Sequence, residues 1–344
     1  MNARSGAPSI LVTGGAGYIG SHFVALLESL NIPFVVVDDL SRGRRASVPQ
    51  HKLFIGKVED SEFIFNVCRS HNVDVAVHFA GFAYVGESVA HPARYYRNNV
   101  AHGITLLEGL RAANVRAMVF SSSCATYGIP AAHGAICETH EQRPINPYGM
   151  SKLVFENVLR DYEQAYDFRS IALRYFNAAG ASAIYPIYEA HDPETHLIPL
   201  AIEAAHKGLD FYVNGNDYET RDGTCERDYV HVDDLAAAHL AAVRSLRCGG
   251  PSERLNLGLG RGYTLLEVIA AVESVTRRRV NYRFGSRRIG DAPSLIACND
   301  RAVTNLKWTP RYRTIEAIVR TANVGYLRSI RPGTGANAAG ELPA

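Results

Sequence analysis

Residues 10–22, ILVTGGAGYIGSH, decide the fold. A short apolar run reads as a buried strand, and it passes directly into a turn with Gly14, Gly17 and Gly20 at GxxGxxG spacing before a helix opens. Glycine permits the tight turn and lets backbone approach a pyrophosphate closely, while the helix N-terminus offers N–H donors and the positive end of a dipole. Asp38, eighteen residues after Gly20, ends the next apolar run. A carboxylate there hydrogen-bonds the adenosine ribose hydroxyls and repels a 2′-phosphate, which favours NAD over NADP. Arg42, Arg44 and Arg45 close by keep NADP open, and a purely structural glycine-rich turn is the competing reading.

Outward from this turn, apolar runs at 34–37, 53–55, 75–79, 117–121 and 171–173 alternate with amphipathic stretches at 21–30, 93–113 and 148–166. Strand followed by helix, repeated, predicts an α/β protein with a Rossmann-type doubly wound parallel sheet. After RYFNAAGAS (174–182) the rhythm breaks, so a nucleotide domain over 8–178 and a smaller mixed α/β C-terminal domain over 179–330 are expected. Segments near 228–260 are candidates to return to the first domain. Residues 331–344 lack apolar periodicity and read as a flexible tail.

Composition narrows the function. The 344 residues carry 36 Lys and Arg against 34 Asp and Glu, a formal net charge of +2, with no basic block of the kind nucleic acid or an anionic membrane attracts. The run Arg277, Arg278, Arg279 reads as a solvated helix end. Six cysteines, at 68, 124, 137, 225, 248 and 298, form no CxxC pair and read as reduced thiols. No run approaches the ~20 apolar residues of a membrane span, and the first residues lack a signal-peptide core. A soluble cytoplasmic protein is expected.

The chemistry resides in INPYGMSK (145–152) and in Ser123, twenty-five residues before Tyr148. On a helix, Tyr148 and Lys152 at i and i+4 share a face. A free tyrosine has a pKa of about 10, and a fixed neighbouring cation is expected to lower it so that the phenol exchanges a proton with a substrate hydroxyl. Beside a dinucleotide, that means redox chemistry on an alcohol. His231, Asp233 and Asp234 have no diagnostic metal spacing, and no metal is expected. Cys124 reads as a small buried residue rather than a nucleophile.

TGGAGYIGSH, HFAGFAYVGESV, YRNNV, FSSSCATYG, PYGMSK, RYFNAAGA and RDYVHVDDLA together resemble the motifs of the extended short-chain dehydrogenase/reductase superfamily. In order and wording they are most similar to its sugar-nucleotide 4-epimerases, those of UDP-glucose and UDP-galactose in particular. The resemblance implies that Tyr148 removes the proton of the sugar 4-hydroxyl, that Lys152 holds the nicotinamide ribose, and that Ser123 hydrogen-bonds the 4-oxygen. A 4-keto sugar would form, turn over and be reduced on its other face. The NAD contacts it implies run through Gly14, Gly17, Tyr18, Ile19 and Gly20, then Asp38, Asp39 and Val58, then Phe79, Ala80, Gly81 and Asn99, and finally Ser121, Tyr148, Lys152 and Tyr175. On the substrate side it implies Ser123, Tyr148, Asn177, His196, Leu197, Arg227, Arg288, Asp291 and Leu295, the arginines on the diphosphate. It further implies a homodimer built on the helix of Tyr148 and the one from about residue 93.

Departures from the family pattern refine these expectations. Cys124 and Ala125 stand where sugar-nucleotide dehydratases carry an acid pair, so epimerisation without elimination is favoured. Lys57 replaces an aspartate that binds adenine, so either NAD is held less tightly or Asp60 compensates. Ala83 replaces a lysine near the pyrophosphate, and His196 an asparagine at the substrate diphosphate. Leu295 falls at the position beside the sugar where bulk excludes N-acetyl groups, and it predicts use of UDP-hexoses over their N-acetyl derivatives. UDP-arabinose/UDP-xylose or UDP-N-acetylhexosamine epimerisation stays open, as does a non-catalytic NAD-binding regulator.

Overall fold

The computed structural model describes residues 7–130, 134–189, 191–288 and 291–330. Its strands in chain order are β1 (Ser9–Thr13), β2 (Phe34–Asp38), β3 (Leu53–Ile55), β4 (Val73–His78), β5 (Ala117–Ser123), β6 (Ala135–Ile136), β7 (Arg169–Tyr175), β8 (Asn177–Ala179), β9 (Asp210–Asn214), β10 (Glu226–His231), β11 (Glu253–Leu257), β12 (Gly262–Thr264), β13 (Asn281–Gly285) and β14 (Ser294–Ala297). The helices are α1 (Tyr18–Ser29), α2 (Ser61–Ser70), α3 (Val85–Ala90), α4 (Pro92–Tyr96), α5 (His102–Ala112), α6 (Pro147–Tyr166), α7 (Leu197–Lys207), α8 (Val232–Arg247), α9 (Leu265–Thr276), α10 (Asp300–Leu306) and α11 (Ile315–Ser329).

The main sheet has seven strands in the order β11-β7-β5-β4-β1-β2-β3, and every pair is parallel. Its central strands are buried on both faces, which is why SILVT and FVVVD read as continuous apolar runs rather than alternating ones. One face packs against α1 and α8 through Phe23, Val24, Leu27, Leu235 and Val243. The other packs against α2, α5 and α6 through Ile64, Val67, Leu106, Leu110, Phe155 and Leu159.

Strand order reverses between β1 and β4, and at such a switch point the chains leaving the strands diverge to leave a crevice. Here the two exits are stitched together. The N–H groups of Phe79 and Ala80 both donate to Thr13 O, at 2.9 and 3.1 Å. Gly14 has φ +71°, and a Cβ on it would come within 2.4 Å of Ala80 N. On Gly20 a Cβ would meet Gly14 O at 2.3 Å, so the start of α1 lies directly on the turn.

A second layer joins β12, β10, β14 and β6, with β8 beside β10, while β9 pairs with β13 alone. Its core lies among α7, α9 and α11, around Ile198, Ile202, Val268, Val272, Ile318 and Val319. Between these units the chain crosses back: α8 covers the main sheet and β11 extends it beside β7. The helix expected over 93–113 is interrupted by a π turn at Arg97–Ala101. Asn99 at that turn is buried, and its side chain bonds Phe82 N, Phe82 O and Ser151 Oγ, tying the loop after β4 to α6. The expected tail, 331–344, lies outside the described residues. Among those described, no helix is long and apolar enough to cross a membrane.

Candidate active site

Helix α6 begins where the chemistry is needed. The Asn146 side chain accepts from Gly149 N at 2.9 Å, and Pro147 fills the first helical position, where a missing N–H costs nothing. This fixed start sets Tyr148 and Lys152 one turn apart on the buried face, with Phe155, Glu156 and Leu159 continuing the stripe. Strand β5 delivers Ser123 opposite them, close enough for its hydroxyl to act on the titration of the Tyr148 phenol. The three residues expected from sequence are therefore together, all nearly buried.

The electrostatics differ from the expectation in one respect. Burial pushes the Tyr148 phenol up to about 12, with the Ser123 hydrogen bond acting in the opposite direction. Lys152 does not bring about the expected lowering: its Nζ stands 5.9 Å from the Tyr148 ring centroid and donates to Ser121 O at 2.9 Å. Burial also brings the ammonium down to about 8, opposed by Glu156. A phenol and an ammonium both drawn from water are each held towards the neutral form. Cys124, beside Ser123, has its thiol pushed up to about 12 by burial, as an inert side chain would.

Behind this group lies a closed polar network. Glu156 accepts from Ser122 Oγ at 2.5 Å and from Arg174, whose guanidinium reaches 2.5 Å in a bidentate pair. Arg174 also donates to Tyr127 Oη at 2.8 Å, Tyr127 donates to Asn256 Oδ1 at 2.8 Å, and Asn256 donates to Ile136 O at 2.7 Å. It fastens β5, α6, β7, β11 and β6 together beneath Ser123. Tyr175 makes a short hydrogen bond with Ser121, one strand residue above the same floor.

The glycine turn fits a dinucleotide by its shape. Gly14, Gly17 and Gly20 keep the backbone bare where β1 opens into α1, and Gly17 caps the helix with no side-chain hydrogen bond. Asp38 closes β2, where Oδ2 accepts from Ala16 N at 2.9 Å and Oδ1 from Leu40 N at 2.8 Å. Each oxygen keeps a second lone pair for a ribose hydroxyl. Burial raises the Asp38 carboxyl above the usual range, with these backbone donors opposing it. Asp39 is exposed and bonds Ser41. Tyr18 donates to Gly180 O at 2.6 Å, bracing the turn against the second unit, while Ile19 and Phe79 pack on the first core cluster and Val58 on the second.

Two of the basic residues near Asp38, and Lys57 with Asp60, have their own partners in three dimensions. Arg42 is paired with Glu87 at 3.0 Å and lies over Tyr84, and Arg44 lies over Tyr188. Asp60 caps α2, its Oδ1 accepting from Phe63 N at 2.9 Å. Lys57 pairs with Glu59.

On the other wall, Asn177 in β8 donates to Asp228 O at 3.0 Å. Arg227 in β10 donates to Asp291 Oδ1 at 2.6 Å, so two of the expected substrate residues hold each other. Arg288 is exposed beyond β13. Leu295 in β14 lies opposite Arg227 in the register and packs, as Cys124 next to Ser123 also does, against the cluster of Tyr127, Ile136, Phe176 and Ala297. His196 and Leu197 start α7, whose first turn has no side-chain cap. His196 is enclosed by carboxylates: Nδ1 is 2.8 Å from both Glu189 Oε1 and Glu194 Oε1. These partners outweigh burial and raise the imidazole to about 10.

His231, Asp233 and Asp234 are structural. His231 is buried against Thr321 at 2.9 Å, and Asp234 accepts from Arg311 N and Tyr312 N. Sequence reasoning passed over a different group, Glu189, His191, Glu194 and His196, whose ligand atoms all lie within 4.8 Å of one another. The signal was the alternation ExHxxExH, set in an irregular stretch where no helical spacing draws attention to it.

A parallel doubly wound sheet with a bare glycine turn at its switch point, and Ser, Tyr and Lys converging at the ends of β5 and α6, define a nucleotide-dependent oxidoreductase-type site. The chain belongs to the NAD dependent epimerase/dehydratase family, which matches residues 10–258. It is 48% identical to a UDP-glucose 4-epimerase of Rhizobium leguminosarum bv. trifolii over 315 residues, covering 91% of this chain and 96% of that one. Among solved structures, UDP-glucose 4-epimerase from Brucella ovis in complex with NAD superposes with a TM-score of 0.90 at 44% identity, covering 93% of this chain and 98% of that one. The enzyme from Stenotrophomonas maltophila, with bound NAD and formylated UDP-arabinopyranose, gives 0.89 at 34% identity over 94% and 100% of the two chains.

Proposed function

We propose that the protein is an NAD-dependent UDP-sugar 4-epimerase that interconverts UDP-glucose and UDP-galactose. The observation that carries this reading is the buried phenol of Tyr148, with Ser123 beside it and Lys152 one turn away, at the mouth of a glycine turn shaped for a dinucleotide. The family is NAD-dependent, and the residues fit that cofactor: Gly14, Gly17, Tyr18, Ile19 and Gly20 at the pyrophosphate, Asp38 and Asp39 at the adenosine ribose, Val58, Phe79, Ala80, Gly81 and Asn99 along the pocket, and Ser121, Tyr148, Lys152 and Tyr175 at the nicotinamide end. NAD bound there supplies a hydride acceptor that returns the hydride to the same carbon.

The chain's own residues then move one proton. Tyr148 takes it from the sugar 4-hydroxyl and gives it back to the 4-oxygen after the keto sugar has turned. Ser123 holds that oxygen in both orientations. Because burial favours the neutral phenol, proton removal has to be helped by positive charge arriving with the reactants, and Lys152 contributes while it keeps its ammonium. Arg227, Arg288 and the uncapped N-terminus of α7 at His196 and Leu197 receive the diphosphate, Asp291 and Asn177 orient the nucleotide and sugar, and Leu295 limits the space at the sugar. Holding the ligand by its diphosphate leaves the keto sugar free to rotate without escaping.

In this reading residues 8–178 hold the cofactor and 179–330 the UDP-sugar. The protein works in the cytoplasm as a homodimer through α6 and the 93–113 segment, where Tyr96, Ile104 and Tyr166 leave apolar surface exposed. Incubating the purified protein with UDP-galactose and resolving the nucleotide sugars tests the activity. UDP-glucose is the expected product; absence of conversion with and without added NAD, alongside turnover of UDP-pentoses or UDP-N-acetylhexosamines, would move the assignment to those sugars.

A further inference from the structure

The group Glu189, His191, Glu194 and His196 lies between two elements of the nucleotide site and shares only His196 with it. The His191 ring packs edge-on against Tyr18 of the glycine turn at 5.9 Å and against Tyr84 at 5.7 Å, while His196 leads into α7. Glu189 is only 6% exposed at its side chain. Its Oε1 stands 3.2 Å from His191 Nδ1 and 2.8 Å from His196 Nδ1, and His191 Nδ1 is 3.9 Å from Glu194 Oε2. Yet Glu189 Oε1 and His191 Nδ1 are both buried with no aligned hydrogen bond. His196 Nδ1 hydrogen-bonds Glu194 Oε1 at 2.8 Å, while Glu189 Oε1 and His191 Nδ1 stand close to the other ligand atoms without being aimed at them. A buried carboxylate oxygen needs a cation against it; without an ion that cation is the His196 imidazolium 2.8 Å away, whose proton a metal ion would displace.

We propose that Glu189, His191, Glu194 and His196 form a binding site for a divalent transition-metal ion, best matched by zinc. Two imidazole nitrogens and two carboxylate oxygens are a donor set suited to zinc, and bonds of about 2.0–2.1 Å in a tetrahedron place ligand atoms roughly 3.4 Å apart. The separations of 2.8, 3.2 and 3.9 Å bracket that value, so small side-chain rotations complete the geometry. Charge balances as well, since two carboxylates neutralise a dication held by two neutral imidazoles. The role is structural. The ion fastens residues 189–196 to Tyr18 and Tyr84 and so fixes the approach to α7. It takes no part in proton or hydride transfer, and the inference stands independently of the sugar assignment.

The test uses the full chain without an affinity tag, stripped with a chelator and titrated with zinc against a chromophoric competitor. One zinc per chain is expected, with a higher midpoint of thermal unfolding when zinc is present. In Glu194→Gln and His191→Ala, checked for native far-UV circular dichroism, affinity should fall by at least about a hundredfold, because structural zinc binding rests on the full ligand set. Cobalt in place of zinc should give the intense visible absorption of a tetrahedral N/O site. Absence of saturable zinc uptake by the wild-type chain would overturn the proposal. So would uptake unchanged in both variants, which would place the zinc on other groups such as the cysteines.

Discussion

Tyr148 and Glu156 stand two turns apart on the same buried face of α6, and they have opposite fates. Glu156 is surrounded by donors, with Ser122 and the Arg174 fork filling its acceptors. The Tyr148 phenol has Ser123 as the side-chain partner that bears on its titration, and burial holds it in the protonated form. A closed network maintains shape, whereas a buried polar group left incompletely partnered marks where something else is to bind or react. The Glu189 cluster also stands apart from the closed network, for Glu189 Oε1 and His191 Nδ1 are buried and short of partners.

Replacing each member separates the two roles. Tyr148→Phe removes the proton carrier and nothing that packs, so epimerisation should drop by about 10³-fold or more, the scale of general acid–base catalysis, with the unfolding midpoint nearly unchanged. Retained turnover would make Tyr148 a packing residue. Glu156→Ala does the reverse: it strands the Arg174 charge in a buried site, and chemical denaturation should show a loss of about 3–5 kcal/mol. The double change Glu156→Leu with Arg174→Met should recover much of it, since the stranded charge is gone.

At the rim the effect is smaller. Leu295 packs against the cluster of Phe176, as Cys124 next to Ser123 also does, and Leu295→Ala should raise the specificity constant for UDP-N-acetylglucosamine roughly tenfold relative to UDP-glucose, the scale of one or two methylenes in a pocket. An unchanged ratio would remove Leu295 from the sugar pocket. The smallest expected effect concerns His78, buried below the crevice with Nδ1 2.7 Å from Thr13 Oγ1 and brought down to about 3 by burial, with Lys152 adding to the shift. Its folded pKa lies below the unfolded one, so the unfolded chain binds the extra proton and stability falls as pH drops below about 6.5. Between pH 7.5 and 5.5 this amounts to about 1.4 kcal/mol, and His78→Gln should show a pH slope shallower by that amount in urea melts. Equal slopes would mean that His78 charges in the folded protein.

The nucleotide half was legible because its signals are local. Gly14, Gly17 and Gly20 are constrained by contacts within a few residues or with the next strand exit, and buried parallel strands announce themselves as apolar runs. The pairing of Tyr148 with Lys152 follows from helical spacing, but their pKa values do not, because desolvation is set by packing from β5 and β7 that no spacing reveals. Asp60 has a role that motif position does not reveal: its Oδ1 caps the next helix. On the second unit, Arg227 meets Asp291 across 64 residues, and the Glu189 cluster forms in irregular chain, so periodicity has nothing to say about either.

The most direct test follows the hydrogen at C4. UDP-galactose deuterated at that carbon, incubated with the enzyme in ordinary water, should yield UDP-glucose that keeps its deuterium at C4, because the hydride leaves and returns within one closed site while Tyr148 handles only the hydroxyl proton. Washout of the deuterium into solvent would contradict the account, for it would mean that the C4 hydrogen departs as a proton.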